Sequence, residues 1–244
     1  EGAMYYNSAS GNFKCYQNSR GWTDCLGIPK PNTRRSTQLS YAGGVATTFT
    51  AIGDIATAAG AGGSATAIAG TNTEPTMINF ATANANGNYY GISGNTNYNS
   101  SLNPSFQTYV QLPATTTERA WAGITSATHA VMAAANNPAG NFAAFRYDTA
   151  TDGTTWRCVV KNGTTITPNP TNNTGVTATT AGVDLEIVLS GTNAAFKING
   201  VEVCNLSANL PAANTNLRYV NSISNLAVGV RNMRIGWIYL DADK

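Results

Sequence analysis

The segment spanning residues 141–163 restricts the fold more than any other part of the sequence. It reads NFAAFRYDTATDGTTWRCVVKNG, two stretches of strand-forming residues separated by a turn rich in Asp, Thr and Gly and closed by Asn162-Gly163. Asn-Gly between two such stretches favours a type I′ hairpin turn, because both central positions of that turn need a positive φ. The segment therefore predicts antiparallel strands, and it contains no cluster of reactive side chains.

A second hairpin is predicted around Asn199-Gly200. In the register that this turn sets, Phe196 faces Val203 on an apolar side of the hairpin. On the other side Lys197 faces Glu202, which predicts a cross-strand ion pair. One side of the hairpin is therefore expected to be buried and the other to be solvated.

Short strands are predicted along most of the remaining chain, and helical periodicity is almost absent. The predicted strands cover residues 46–52, 77–81, 106–112, 120–126, 142–147, 183–189 and 233–240. Only residues 127–135 (ATHAVMAAA) predict a short helix, which Asn136-Asn137-Pro138 would end. Many short strands without alternating helices predict an all-β fold, a two-sheet sandwich of the jelly-roll type.

The chain is predicted to contain two units and a linker. Residues 1–28 form a three-stranded meander, residues 29–36 form a linker broken by two prolines, and residues 37–244 form the sandwich. A unit of this size cannot bury enough apolar surface to be stable by itself. We therefore expect the meander to dock on the sandwich or on another subunit, or to depend on a disulfide.

The four cysteines, an even number, are compatible with an oxidising compartment. Cys15 and Cys25 flank a predicted turn, and a disulfide between them is plausible. Cys158 and Cys204 lie on two later strands and can pair only if those strands face one another. The alternative is that both are small buried hydrophobic residues. A metal site is not predicted, because there is no C-x-x-C pair and His129 is the only histidine.

The charge pattern argues against nucleic acid as a partner. Charged residues make up 11% of the chain, compared with about a quarter in ordinary soluble domains. The net charge of +2 is scattered and forms no basic stripe. Membrane insertion is not expected either, because the longest run of small residues, 55–70, is too short and too rich in Gly and Thr. No cofactor is predicted, since Gly60-Ala61-Gly62 lacks the strand and helix of a dinucleotide site.

A carbohydrate site would require flat aromatic faces and fixed amide or guanidinium donors. The candidate residues are the aromatic and basic side chains of the predicted strands and the asparagines of the adjoining loop: Trp121, Arg146, Tyr147, Trp156, Asn136, Asn137 and Asn141. The alternative, which is favoured, is that the large aromatic residues belong to the core or to a subunit interface.

No catalytic residue is predicted. Asp184-Leu185-Glu186 places two carboxylates on one side of a strand, as glycoside hydrolases require, but the next outward position is Val188, so a solvated strand face is favoured. His129 has no evident acid or nucleophile as a partner and is interpreted as a loop or surface residue. A calcium site between Asp148 and Asp152 is conceivable, but an ordinary Asp/Gly turn is favoured.

Several motifs resemble a known group of domains. AWAGITSATHAV, NPAGNFAAFRYDTATDGTTWRCVVKNGTT, VDLEIVLSGTNAAFKINGVEV and RNMRIGWIYLDAD resemble the lectin-like (concanavalin A-like) jelly-roll domains of tailed-phage structural and tail-fibre proteins. The N-terminal EGAMYYNSASGNFKCYQNSRGWTDC is similar to a short module of phage tail fibres and repetitive bacterial surface proteins. The resemblance carries no shared set of binding residues.

The resemblance implies a non-catalytic protein of a virion or fibre tip, which attaches to a host surface or decorates a particle. Its partners would be copies of itself and a cell-surface glycan, and its location would be extracellular or on the virion surface. The alternative is a self-assembling subunit of an extracellular microbial filament or sheath. A polysaccharide-active enzyme is the least favoured interpretation. Because the first residue is Glu1, the chain is expected to be a processed product or a piece of a longer protein.

Overall fold

The computed structural model describes residues 4–7, 12–17, 21–24, 34–40, 50–52, 57–60, 62–71, 74–95, 98–167 and 171–243. Within these residues the elements are almost all strands. They are β1 (Met4–Asn7), β2 (Asn12–Gln17), β3 (Gly21–Asp24), β4 (Arg34–Ser40), β5 (Thr50–Ile52), β6 (Thr57–Gly60), β7 (Ser64–Ile68), β8 (Met77–Ala81), β9 (Tyr89–Ser93), β10 (Tyr98–Asn99), a 3₁₀ turn (Ser100–Leu102), β11 (Ser105–Gln111), β12 (Glu118–Thr125), α1 (His129–Ala134), β13 (Gly140–Asp148), β14 (Thr155–Gly163), β15 (Asn173–Thr177), β16 (Val183–Leu189), β17 (Ala194–Ile198), β18 (Val201–Leu206), β19 (Asn216–Asn225) and β20 (Asn232–Asp243). The predicted all-β fold is confirmed.

The chain divides after Arg35 into two compact units. In the first unit β1, β2 and β3 form an antiparallel meander, in which Tyr6 faces Phe13 and Tyr16 faces Trp22. The predicted boundaries of the meander and the linker remain predictions. Cys25 lies outside the described residues, so its pairing with Cys15 remains a prediction as well.

The second unit contains two antiparallel sheets. The first sheet has the strand order β15-β14-β13-β12-β19-β9-β6, with β10 joined to β19. The second sheet has the order β18-β17-β16-β11-β20-β4-β5, and β8 joins it through β20 and carries β7. Their apolar faces share one hydrophobic core, which is the jelly-roll sandwich that the sequence predicts. No helix in the described part of the chain is long and apolar enough to cross a membrane.

The core lies between the two sheets and is built by strand alternation. On β16, Leu185, Ile187 and Leu189 are buried while the residues between them are not. At its centre the rings of Phe145 on β13 and Phe196 on β17 pack edge to face with their centroids 5.2 Å apart. Contacts of this kind hold the two layers together, because each ring removes a large apolar area from water.

A disulfide also joins the two sheets. Cys158 on β14 and Cys204 on β18 are bonded, with their Cα atoms 6.4 Å apart. The two strands therefore face one another, which was the condition that the sequence set for this pair. Both residues belong to the buried core.

The outer face of the first sheet is covered by α1 and the segment that follows it. The helix packs against β9, β12 and β19. Three cations of the sheet donate hydrogen bonds to carbonyl oxygens of the covering segment. These bonds run from Arg119 Nη1 to Ala133 O (3.3 Å), from Arg146 Nη1 to Asn136 O (2.5 Å) and from Lys161 Nζ to Pro138 O (2.7 Å). This face is consequently closed by polar bonds around an apolar centre.

The structure corrects two details of the predicted hairpin around Asn199-Gly200. A β-bulge between Phe196 and Lys197 shifts the register, so that Phe196 faces Cys204 and not Val203. Lys197 does lie opposite Glu202, but its ammonium group forms its ion pair with Glu186 on β16, at 2.9 Å.

His129 is also corrected, because it is a buried residue and not a loop or surface residue. It begins α1, where its side chain is 6% exposed. Its Nδ1 lies 3.0 Å from Ser93 Oγ on β9. This contact joins the start of the helix to the sheet beneath it.

Replacement of Phe196 by Ala is expected to destabilise the sandwich by about 3–5 kcal/mol, since it leaves a cavity at the centre of the core. Val201→Ala on the same hairpin is the control, because Val201 is 66% exposed while Phe196 is fully buried. We expect the control to change stability by less than about 0.5 kcal/mol. Urea unfolding of both variants measures the difference, and equal losses would contradict this account of the core.

Candidate functional site

The outer face of the second sheet carries a group of half-buried aromatic side chains. Tyr109 on β11 lies directly opposite Trp237 on β20, and Tyr239 follows on the same side of β20. The single described helix packs on the first sheet, so it does not cover these residues. We call the surface formed by Tyr109, Trp237 and Tyr239 the aromatic face.

A β-bulge in β20 places Trp237 on this face. Tyr109 pairs with Trp237, whereas the next residue, Val110, pairs with Ile235, so Gly236 is an extra residue in β20. Before the bulge, Ile235 points into the core, and after it Ile238 does so. Because side chains alternate along a strand, the extra residue turns Trp237 outward.

Tyr109 lies against the backbone of the sheet at two glycines. A side chain at Gly182 would collide with the phenol of Tyr109, and a Cβ at Gly236 would lie 3.1 Å from Tyr109 Cδ1 and 2.8 Å from Pro75 Cγ. Only glycine leaves room for the ring at the Gly182 position. The ring is thereby fixed along the sheet surface, as a platform for the apolar side of a sugar requires.

Two carboxylates of β16 lie beside the aromatic face. Asp184 is opposite Tyr109, and Glu186 is opposite Gln107, the residue that pairs with Tyr239 on its other side. Residues two apart on a strand have Cα atoms about 6.6 Å apart and point to the same side. Aromatic rings and a pair of acids therefore share one surface.

The two carboxylates have different environments. Lys197 Nζ lies 2.9 Å from Glu186 Oε1 and forms an ion pair with this carboxylate. Among the described residues Asp184 has no such partner, and although it is exposed, partial loss of water by burial raises the pKa of its carboxyl group above the usual value. The pair thus combines an acid that holds its proton more tightly with a carboxylate that is bound by an ammonium group.

Hydrogen-bond donors and charges border the face. Gln111 Nε2 donates to Glu74 Oε1 at 3.0 Å, and Arg234 Nη1 donates to Gln111 Oε1 at 2.9 Å. Burial is the main cause that raises the pKa of the Tyr109 phenol, with the negative charges of Glu74 and Asp184 adding to it. Amide and guanidinium groups next to aromatic rings are the groups that recognise sugar hydroxyls.

The structure does not support the aromatic residues that the sequence predicts for sugar binding. Trp121 and Tyr147 are fully buried and Trp156 is 2% exposed, so none of these rings can receive a sugar. Tyr147 and Trp156 pack in the core, 5.7 Å apart between ring centroids. Trp121 lies under the covering segment, with the guanidinium carbon of Arg146 5.6 Å from its ring centroid. The favoured alternative, that these aromatic residues are structural, describes them correctly.

The predicted loop asparagines serve the structure of the first sheet. Asn136 and Asn137 are exposed and Asn141 is half-buried. Asn136 Nδ2 donates to Thr151 Oγ1, Lys161 Nζ donates to Asn137 Oδ1, and Asn141 Oδ1 accepts from the backbone of Ala212. These three side chains are not brought together with exposed aromatic rings.

The carboxylates of the turn between β13 and β14 are bound by arginines. Asp148 Oδ2 lies 2.5 Å from Arg119 Nε, and Asp152 Oδ1 lies 2.6 Å from Arg146 Nη2. Asp148 also accepts a hydrogen bond from the backbone of Ala150 within the turn. Both acids therefore stabilise the turn and the sheet next to it, as the turn interpretation of this segment requires.

Glu118, at the start of β12, is a buried carboxyl group that sequence reasoning missed. Its side chain is fully buried, and neither carboxyl oxygen has a hydrogen-bond partner among the described residues. Burial raises its pKa to about 8, although the charge of Arg231 opposes this shift. The surrounding residues TTTERAW are typical of a solvated strand end, so no pattern in the sequence indicates that Glu118 is buried.

The sandwich is shared with proteins of known structure at low identity. A protein of unknown function from Shewanella oneidensis MR-1 matches with a TM-score of 0.60 and 9% identity, over 87% of each chain. An endo-acting O-glycanase of the human gut microbiota, which initiates mucin breakdown, matches with a TM-score of 0.50 and 9% identity, over 69% of this chain and 80% of that one. A Bacillus licheniformis β-glucanase matches with a TM-score of 0.48 and 8% identity, over 67% and 78%. No protein-family model and no curated protein matches the sequence.

These comparisons correct the functional predictions. The predicted concanavalin A-like jelly-roll fold is confirmed, but the structures named above include no tail-fibre protein. The endo-acting O-glycanase that shares the sandwich is an enzyme that acts on glycans, whereas the resemblance implied a non-catalytic use of this fold. The predictions of a non-catalytic attachment protein and of a filament subunit are therefore wrong, as is the prediction that the chain is not an enzyme. At 9% identity the likeness itself establishes the shared fold.

Glu118 is expected to make the stability of the sandwich depend on pH. Its pKa is about 8 in the folded chain and near the ordinary 4.5 in the unfolded chain, so the folded state binds an extra proton between these values. Glu118 should therefore contribute stability that is fully present below about pH 4.5 and is lost progressively as the pH rises towards about 8. Glu118→Gln should remove this slope, which denaturant unfolding at several pH values measures.

Glu202→Gln is the control for this experiment, because Glu202 is exposed on β18. It should keep the pH dependence of the wild type. Equal slopes in the wild type and in Glu118→Gln would show that Glu118 is not the group that takes up the proton.

Proposed function

We propose that this protein binds and hydrolyses polysaccharide at the aromatic face of its second sheet. The observation that carries the proposal is the presence of Tyr109, Trp237 and Tyr239 on the same surface as Asp184 and Glu186. Aromatic rings bind the apolar sides of sugar rings, and a pair of carboxyl groups is what cleavage of a glycosidic bond requires.

The two acids suit the two roles of this reaction. One carboxyl group must protonate the oxygen of the leaving sugar, and the second must act as a nucleophile or activate a water molecule. Asp184 suits the first role, because burial raises its pKa. Glu186 suits the second role, because it lies on the same side of β16 as Asp184 and the ion pair with Lys197 holds its carboxylate in place.

The shape of the surface favours a polymer as the substrate. The aromatic residues extend along β20 and across to β11, so the sugar-binding surface is a stretch of sheet and not a closed pocket. Neighbouring units of a glycan chain could contact successive rings, while the polar groups of Gln111 and Arg234 meet their hydroxyls. The shared fold with an endo-acting O-glycanase is compatible with such a substrate.

The extracellular location also remains part of the proposal. The disulfide between Cys158 and Cys204 supports it, because such bonds persist in oxidising compartments. Assembly with copies of the same chain remains a prediction from the sequence.

Removal of either acid should abolish hydrolysis. We expect Asp184→Asn and Glu186→Gln each to lower the rate on a responsive glycan by roughly 10²–10⁴-fold, the usual contribution of general acid–base catalysis. The assay is reducing-end release from a panel of soluble β-glucans, xylan and mucin O-glycans. The control, Glu202→Gln, changes a carboxylate of the edge strand β18 and should keep full activity. A panel without any product, or activity unchanged in both variants, would overturn the catalytic proposal.

Loss of an aromatic ring should weaken binding without changing the fold. Trp237→Ala is expected to reduce affinity for the responsive glycan by roughly 2–10-fold, since stacking contributes roughly 0.5–1.5 kcal/mol. Affinity electrophoresis in gels that contain the polysaccharide measures this change. Trp121→Phe is the comparison, because Trp121 is buried under α1 and its replacement should leave glycan affinity unchanged. A loss of glycan affinity in Trp121→Phe, with unchanged affinity in Trp237→Ala, would instead locate the sugar on the first sheet.

A further inference from the structure

A separate pocket of about 430 Å³ opens at one end of the sandwich. Its walls are the loop before β12, the turn between β13 and β14, and Leu226 after β19. Five of its lining residues are threonines: Thr115, Thr116, Thr117, Thr149 and Thr154. The pocket shares no residue with the aromatic face.

Three of these threonine hydroxyls are available to a ligand. Among the described residues, the hydroxyls of Thr115, Thr116 and Thr154 have no hydrogen-bond partner. The other two are occupied, since Thr117 Oγ1 accepts from Arg231 and Thr149 Oγ1 accepts from the backbone N–H of Glu118. Each free hydroxyl can donate one hydrogen bond and accept two. The pocket therefore concentrates unused donors and acceptors at one place.

The loops that carry these hydroxyls are held in fixed positions. Thr117 has φ 50°, an uncommon value for a β-branched residue, and its carbonyl accepts a hydrogen bond from Leu226 N at 2.9 Å. The carbonyl of Thr115 accepts a hydrogen bond from Tyr147 Oη at 2.7 Å. Strain that is retained by surrounding bonds is typical of ligand sites, because it preorganises the binding groups.

The chemistry of the pocket is neutral. Its lining contains hydroxyl groups, threonine methyl groups, backbone and Leu226, but no charged side chain. Glu118 lies next to Thr117 in the chain, and burial raises the pKa of its carboxyl group to about 8, which favours the uncharged form. Apart from the Arg231 guanidinium, which is bound to Thr117, the surroundings offer hydrogen bonds and apolar contact, which suits an uncharged ligand with many hydroxyls.

We propose that this pocket is a second binding site, which takes one uncharged sugar residue. A volume of about 430 Å³ lies within the range of small-molecule sites and is enough for a single sugar ring. The unpartnered threonine hydroxyls bind the sugar hydroxyls, and Leu226 with the threonine methyl groups contacts the ring carbons. The pocket is open to solvent and has room for one ring, so it suits a chain end, a branch or a free monosaccharide, whereas the aromatic face takes the length of a polymer.

The test is an NMR titration of the full chain with glucose, galactose and N-acetylglucosamine as separate probes. At least one probe should shift backbone amides of residues 115–117, 149–154 and 226, with weak affinity. The double variant Thr116→Val/Thr154→Val should weaken that probe by about tenfold, since it removes two hydrogen bonds. Thr177→Val, an exposed position on β15 outside the pocket, is the matched control and should bind like the wild type.

Two results would overturn the proposal. One is the absence of shifts in the pocket residues with all three probes, and the other is a shift that the double variant leaves unchanged. Trp237→Ala separates this site from the aromatic face, because pocket binding must survive that change. The titration does not measure hydrolysis, so its result can be interpreted even if the catalytic proposal fails. Well-dispersed amide spectra of each variant establish that it is folded.

Discussion

The packing of apolar side chains between the two sheets determines where every other group of this protein can be. Phe145 and Phe196 meet at the centre of that layer, and the disulfide between Cys158 and Cys204 joins the same two sheets. Because each strand alternates, every residue that enters the core forces its neighbours to an outer face. The functional chemistry of the chain must therefore lie on one of two outer faces or in the loops at the ends.

The two outer faces are used in opposite ways. On the first sheet Arg119, Arg146 and Lys161 bind carbonyl oxygens of a covering segment, and Trp121 is sealed beneath it. On the second sheet the aromatic rings stay half-buried beside two carboxylates. A buried cation with a carbonyl partner stabilises the cover. The presence of a covering segment on the first sheet, more than a difference in composition, distinguishes this structural face from the proposed binding face on the second sheet.

The sequence predicted the strands well and the site poorly, and the reason is physical. Asn199-Gly200 and the alternation of β16 depend on local preferences, so they are visible in the sequence. Whether a tryptophan faces solvent depends on what lies above it, and Trp121 and Trp237 occupy similar apolar runs. The Asp184 and Glu186 pair was recognised, but its aromatic neighbours come from β11 and β20, which only the fold brings together. The burial of Glu118 likewise arises from distant loops.

Gly236, the extra residue in β20, allows aliphatic side chains to enter the core on both sides of the bulge while Trp237 points outward. Residues 233 and 235 reach the interior on odd positions, and residues 238, 240 and 242 reach it on even ones. Loss of Gly236 would join Ile235 directly to Trp237, and regular alternation would still place Ile238 inside and Trp237 outside. By contrast, an extra residue between Trp237 and Leu240 would reverse the direction of every later side chain of the strand unless a second bulge absorbed it.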